Sequence, residues 1–231
     1  MPPEGKPIGA VKARKTPQAV ADKSGLALWE FDMALQAEFP ILCGVDEVGR
    51  GPLAGNVVAA CVILDLKGPP IVGLNDSKKL TASHREELCL EIRARALAFG
   101  VGECTPKEID RFNILRASLL AMRRALEAMG KPPGLLLVDG NQTIPDVAWP
   151  QRTLVKGDGR SASIAAASIL AKVIRDQQMV ELHALHPEYG FAGHKGYPTQ
   201  THRNAIAQYG LTPFHRLSFC AKATGQVDMS L

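Results

Sequence analysis

Two adjacent carboxylates, Asp46 and Glu47, close a short apolar run over residues 41–45 and lead straight into a glycine-arginine-glycine turn, Gly49, Arg50 and Gly51. An acidic strand end beside a flexible basic loop suits phosphate chemistry, because acids recruit a cation and arginine meets the anion. Asp139 repeats the pattern, ending the apolar run 135–138 ahead of Gly140, and Asp158 sits between two glycines in the run 156–160. Any one of these acids has an ordinary alternative, since strand-end and loop aspartates commonly satisfy turn amides or cap helices. Four in such similar settings point to a metal cluster. Clustered acids repel one another and hold protons unless a cation neutralises them. Magnesium takes few protein carboxylates and fills its shell with water and phosphate oxygens, and two such ions can hold both the attacking and the leaving oxygen of a phosphodiester.

The adjacency of Asp46 and Glu47 raises a geometric question, because successive side chains on a strand point to opposite faces. Both serve one metal only if the strand bends there, or if Glu47 contributes its backbone carbonyl with or in place of its side chain. The glycines that follow allow either arrangement.

The elements that must carry these residues follow from spacing. Residues 41–45 read as a buried strand, short, apolar and bounded by turns, and 57–64 as a second, longer one. A loop with Lys78 and Lys79, suited to gripping phosphates as point charges, comes before a helix that Ser83 and Glu86 open as a capping box. That helix carries a stripe of Leu88, Ile92 and Ala96 and ends near Gly100, with residues 99–104 as a short strand. Asn113 caps a further helix with an apolar face of Leu115, Leu119, Met122, Leu126 and Met129 and a stop at Gly130. The continuous apolar run 135–138 reads as a central strand covered on both faces, and 153–155 as another. A helix from Ser161 to about Leu185 opens with small residues that permit close packing and carries Lys172 and Arg175 on or near one face. Residues 194–199 form a turn presenting His194 and Tyr197, 202–209 are helical, and 215–219 precede a polar tail. His194 can shuttle a proton or make a structural hydrogen bond.

Strands interleaved with helices, without an internal repeat, argue for one α/β domain. Residues 25–39 suit a short helix packing on it, and residues 1–24, rich in proline and basic side chains, suit a flexible arm whose role stays open. The chain then divides into an arm with its helix over 1–38, a catalytic domain over 39–222 and a polar tail over 223–231.

With 231 residues, 46% of them hydrophobic, the chain can bury one sizeable core and is not wholly disordered. It has no apolar run long enough to span a bilayer and no apolar segment of a secretory signal at its start, so a soluble, cytoplasmic protein is expected, and without a long heptad or an obvious exposed apolar stripe a monomer is expected. Five cysteines without a CxxC pair argue against a disulfide framework and a zinc site. A net charge of +4 is compatible with a polyanionic partner without identifying one. The P-loop pattern of ATPases is absent.

Several stretches together resemble the ribonuclease HII family: 44–55 around Asp46, Glu47 and the Gly49-Arg50-Gly51 turn, 75–80 around Lys78 and Lys79, 138–141 around Asp139, 156–158, 166–173 and 194–199. They run in the family's order and cover nearly everything from about residue 40 to 220. The resemblance implies a ribonuclease H-like fold, an α/β architecture with a central mixed β-sheet flanked by α-helices and a helical C-terminal region. It also implies an endoribonuclease that cuts RNA in RNA–DNA hybrids and 5′ of single ribonucleotides in duplex DNA, leaving a 3′-hydroxyl and a 5′-phosphate. By position, Asp46, Glu47 and Asp139 match the family's metal-binding acids and Asp158 its fourth active-site carboxylate, with Mg2+ or Mn2+ as cofactor. Gly49, Arg50 and Gly51 match the loop that reads the 2′-hydroxyl, and Tyr197 the aromatic that packs on the neighbouring sugar. Lys78, Lys79, Lys172 and Arg50 suit sequence-independent contacts to the nucleic-acid backbone.

Two rival readings are distinguishable. Another metal-dependent nuclease would show no ribose requirement. A binding module without catalysis would have to place four carboxylates against a phosphate backbone, which hinders binding unless cations are recruited.

Overall fold

At the centre of the sheet lies the strand that ends in the paired acids. β1 (Leu42–Val48) pairs antiparallel with β2 (Val57–Leu64), and β2 antiparallel with β3 (Ala96–Cys104). On its other side β1 runs parallel to β4 (Leu135–Asp139), which is parallel to β5 (Gln151–Leu154), giving the order β3-β2-β1-β4-β5. Every residue of β2 is buried, as its unbroken apolar sequence demands of a strand covered on both faces. The computed structural model describes residues 23–224. Of the arm expected over 1–24, residues 1–22 lie outside the described residues, as does the end of the tail, while Lys23 and Ser24 already belong to the first helix.

One face of the sheet is covered by α1 (Lys23–Gln36), α2 (Ala82–Arg95) and α5 (Ala162–Leu185). Leu42, Leu137, Ile164 and Ile169 are fully or almost fully buried there, each contributing about 1.5–3 kcal/mol. The first turns of α5 press directly onto β1. A Cβ on Gly44 would stand 2.1 Å from the Ser163 carbonyl carbon, so only glycine lets the helix approach this closely. Ser161 caps α5 through the Ile164 amide, and the buried Asp32 of α1 accepts from the Ser163 amide at 2.8 Å. The other face is covered by α3 (Pro106–Phe112) and α4 (Ile114–Met129), whose buried stripe includes Ala117, Ala121, Met122, Ala125 and Leu126. Beyond the sheet, α6 (Phe191–His194), α7 (Gln200–Tyr209) and α8 (Leu217–Thr224) surround a smaller cluster of Leu53, Met179, Tyr189, Phe191 and Ile206.

This is a central mixed sheet flanked by helices with a helical C-terminal region, as expected from the sequence. Several local readings differ. The N-cap of α2 is Thr81, in extended conformation and accepting from the His84 amide, while the Ser83 hydroxyl turns to Glu87 inside the helix. That helix stops at Arg95 because Ala96 already joins β3, opposite Leu64. β5 is 151–154, set by its pairing with β4, and leaves Val155 exposed. Leu115 is 40% exposed in the first turn of α4, outside the buried stripe. A capping box does exist, at Thr105 and Glu108, and it opens α3, a helix not among those expected.

Candidate active site

Asp46 and Asp139 lie side by side because their strands are adjacent, parallel and in register. Val45 pairs with Val138, and the next residue on each strand is the acid. Alternation sends both toward the face that α5 covers, and Ser168 on α5 hydrogen-bonds the Asp46 carboxylate. Ser168 also meets the Ser77 hydroxyl at 2.9 Å, which ties in the loop carrying Lys78. The amide of Gly157 donates to Asp139 Oδ1 at 2.6 Å, bringing up the short 3-10 turn Gly157–Gly159 that holds Asp158. Glu47, on the opposite side of the pleat, is held at the strand end by Arg50, 3.2 Å away.

The electrostatics show how strained this grouping is without a cation. Burial, then repulsion from Glu47 and Asp139, push the Asp46 carboxyl well above the usual carboxylate range. Glu47 is raised by burial and by Asp139, against the pull of Arg50. Asp158 is raised by burial, by Asp76 and by Asp139, with Lys78 opposing at 3.8 Å. For the Lys78 ammonium, burial acts downward, but the field of Asp158, Asp76, Asp46 and Asp139 holds its pKa up. The four predicted acids and Lys78 therefore form one cluster, and Asp76, two residues before Lys78, is a further member that the sequence does not single out.

The donor set suits a hard divalent cation. It offers carboxylate oxygens with a serine hydroxyl behind them, and the group nearest the sheet is too buried to ionise easily by itself. Among the described residues no three His, Cys, Asp or Glu side chains already close as a metal cage. An open set of this kind matches an ion that keeps water and takes substrate oxygens as ligands.

Around the acids the chain builds a rim. Gly49 turns the chain with φ +93, a conformation that favours glycine, and a Cβ there would also stand 2.2 Å from the Arg175 side chain. Arg50 and Gly51 are exposed. The Tyr197 ring abuts Gly51, its Cε1 3.6 Å from where a Cβ would sit. Lys79 is exposed beside Lys78. Lys172 follows Ser168 by one turn of α5 and pairs with Asp176 at 2.6 Å.

Tyr197 is held by a chain of imidazoles. The Thr212 amide donates to His215 Nδ1 at 2.9 Å, so His215 carries its proton on Nε2 and donates it to His202 Nε2 at 3.1 Å. His202 must then be protonated on Nδ1, which donates to the Tyr197 carbonyl at 3.0 Å. The two ring nitrogens of His194 engage the Tyr189 carbonyl and the Gly196 amide, which favours the structural of its two expected roles. Arg175, expected on or near a helix face with Lys172, is instead fully buried, donating to the carbonyls of Ala54, Asn56 and Lys195. Arg216, which the sequence did not single out, is also fully buried. No spacing rule marks such residues, because all but one of their partners, the Lys195 carbonyl, are carbonyls more than a hundred positions away in the chain.

A model of the ribonuclease HII family matches residues 43–222. The ribonuclease HII of Shewanella amazonensis is 57% identical over 178 residues, covering 77% of this chain and 85% of that protein. That of a Marinomonas species is 54% identical over 179 residues, covering 78% and 89%. Among solved structures, the ribonuclease H2 of Pyrococcus horikoshii superposes with a TM-score of 0.67 at 27% identity, covering 80% of this chain and 97% of that one. Bst-RNase HIII, solved in complex with Mn2+, has a TM-score of 0.63 at 18% identity over 94% of this chain and 76% of its own, a likeness of fold alone. A family match extending from β1 into α8, with relatives more than half identical over most of their own length, makes this chain a member of the ribonuclease HII family.

Proposed function

We propose that this ribonuclease H acts on RNA–DNA hybrids and also cuts 5′ of single ribonucleotides embedded in duplex DNA, hydrolysing the phosphodiester to a 3′-hydroxyl and a 5′-phosphate. Family membership carries the coarser statement, an endoribonuclease acting on RNA–DNA hybrids and dependent on a metal. The finer reading is carried by one observation: the Gly49-Arg50-Gly51 turn and the exposed ring of Tyr197 lie side by side at the rim of the acid cluster. A protein tells RNA from DNA through the 2′-hydroxyl, and Gly51 lets backbone approach a sugar where a side chain would collide.

Asp46, Glu47 and Asp139 would hold Mg2+ or Mn2+, with Asp158 as the fourth carboxylate of the active site. When bound, the metal supplies Lewis-acid activation of the attacking water and stabilisation of the leaving oxygen. The protein's part is positioning. Ser168 and the Glu47 amide orient Asp46, the Gly157 amide orients Asp139, and Lys78 balances Asp158. Arg50, Lys78, Lys79 and Lys172 contact phosphates without reading sequence, and Tyr197 packs on the sugar beside the cut. No covalent enzyme intermediate is required.

Among the described residues no helix is long and apolar enough to cross a membrane. We assign the protein to the cytoplasm as a monomer. Mapping the product ends on a duplex with one ribonucleotide tests the chemistry: a 3′-hydroxyl 5′ of the ribonucleotide is expected, and a 2′,3′-cyclic phosphate overturns it.

A further inference from the structure

Arg216 is fully buried, and among the described residues no carboxylate lies within ion-pair distance of it. Its guanidinium is spent on backbone. Nη2 donates to the carbonyls of Gly49 and Gly55, both at 2.7 Å, Nη1 to those of Arg50 at 3.2 Å and Pro52 at 2.9 Å, and Nε to Gly55 again at 3.0 Å. Five hydrogen bonds to four carbonyls of one loop is the full donor capacity of the side chain. Burial and the neighbouring Arg175 lower its pKa to about 9, which leaves it charged at neutral pH.

The segment that carries Arg216 is itself anchored to the loop. The Arg216 amide donates to the Leu53 carbonyl at 2.8 Å, and the Gly55 amide donates to the Phe214 carbonyl at 2.9 Å, so the segment runs beside the loop like a strand. Directly after it, Asp110 of α3 caps α8, accepting from the amides of Leu217 and Ser218.

A consequence follows from the planarity of the peptide bond. In a trans peptide the C=O and the N–H point in opposite directions, and no peptide in the described chain is cis. Drawing the Gly49 carbonyl inward therefore turns the Arg50 amide outward, and drawing the Arg50 carbonyl inward turns the Gly51 amide outward. The same rule holds visibly one step on, where the Pro52 carbonyl meets Arg216 and the Leu53 amide points the other way, to the Gly196 carbonyl at 2.8 Å. Gly196 adjoins Tyr197. Among the described residues no acceptor takes the Arg50 or Gly51 amide.

We propose that Arg216 is a specificity-determining positioning residue, which sets the Gly49-Arg50-Gly51 turn so that the amides of Arg50 and Gly51 present donors to a ribose 2′-hydroxyl beside Tyr197. The inference rests on the reading of that turn as the ribose sensor. Arg216 touches no reacting atom, and the acids are held separately by the sheet and α5.

Binding of two duplexes, all-DNA and the same duplex with one ribonucleotide, is measured in an Asp139→Asn background to prevent cleavage. Arg216→Lys keeps the charge but loses the planar fork. Its preference for the ribonucleotide duplex is expected to fall at least about tenfold, the loss of roughly one hydrogen bond, while all-DNA binding changes little. An unchanged preference, or equal weakening on both duplexes, overturns the inference. If the background protein itself shows no preference, the ribose-sensing reading fails first and takes the inference with it. Should Arg216→Lys not fold, amide 15N shifts in the Arg216-intact protein decide. Arg50 and Gly51 signals that move with the ribonucleotide duplex and not with DNA support the proposal, and signals that respond equally or not at all overturn it.

Discussion

Asp139 Oδ1 and the Gly157 amide are joined by a 2.6 Å hydrogen bond. This bond links the end of a core strand to the turn that carries Asp158, so one carboxylate both belongs to the acid cluster and positions another member. In Asp139→Asn the side-chain oxygen can still accept from Gly157, and the turn should persist while the negative charge is lost. Metal-dependent cleavage is expected to fall by roughly a hundredfold or more, with the melting temperature within a few degrees of the parent. Steady-state cleavage and a thermal melt check this together. Near-parental activity would remove Asp139 from the metal site.

Asp46 is a cost to the metal-free fold, since burial and two neighbouring acids oppose its charge. Asp46→Asn keeps an acceptor for the Glu47 amide and removes that repulsion. With chelator present, the variant should be more stable than the parent by about 1 kcal/mol, or ~2–4 °C in melting temperature for a chain of this size. Added Mg2+ or Mn2+ should raise the parent's melting temperature and not the variant's. A variant less stable than the parent in chelator would contradict the account.

Gly44 is the point where α5 rests on β1, with no room for a methyl group against the Ser163 backbone. Gly44→Ala must push the helix, and Ser168 with it, away from Asp46. Its cost is expected at about 3 kcal/mol or more, at the upper end for overpacking, read as a shift of the urea midpoint. A cost below ~1 kcal/mol would mean that the contact is looser than described.

The His202–His215 pair makes the C-terminal region acid-sensitive. Burial first, then the neighbouring imidazole, lower His215 to about 4, and burial lowers His202, helped by His194. The ionisable groups around the pair are His194, stacked on His202, with His186 and Tyr189 beside His215. The unfolded imidazoles take protons near pH 6.5 and the folded ones do not, so this stability is complete above 6.5 and is lost as pH falls toward about 4. His215→Asn, with no proton to gain, should flatten the dependence of the urea midpoint between pH 7 and 5. An unchanged slope would place the acid sensitivity elsewhere.

Much of this was legible in the sequence, for reasons that differ from element to element. The run 135–138 is apolar on both sides, which only a doubly covered strand needs, and it is β4. Asn113 and Gly130 bracket α4 because caps act within a few residues. The four acids stood out because strand ends and glycine turns are local signals too, and the fold brings them into one cluster. Asp76 was harder to see, since its carboxylate matters only once α5 and the 3-10 turn bring Asp158 to it. Arg216 could not be read at all. An arginine in a short polar segment ordinarily signals a solvated surface, and its burial depends on four carbonyls more than 160 positions earlier. The start of α3 is marked in the sequence by Thr105, Pro106 and Glu108, a capping box with proline in the first turn, but seven residues are too few for an apolar period to confirm a helix.

The central claim joins metal-dependent hydrolysis to ribose sensing at a single rim, where Tyr197 meets Gly51. The most direct measurement follows two labelled duplexes, all-DNA and the same sequence with one ribonucleotide, incubated with Mg2+, with Mn2+ and with chelator. The account predicts cleavage of the ribonucleotide-containing duplex alone, on the 5′ side of the ribonucleotide, and only with metal. Equal cleavage of both duplexes would contradict it.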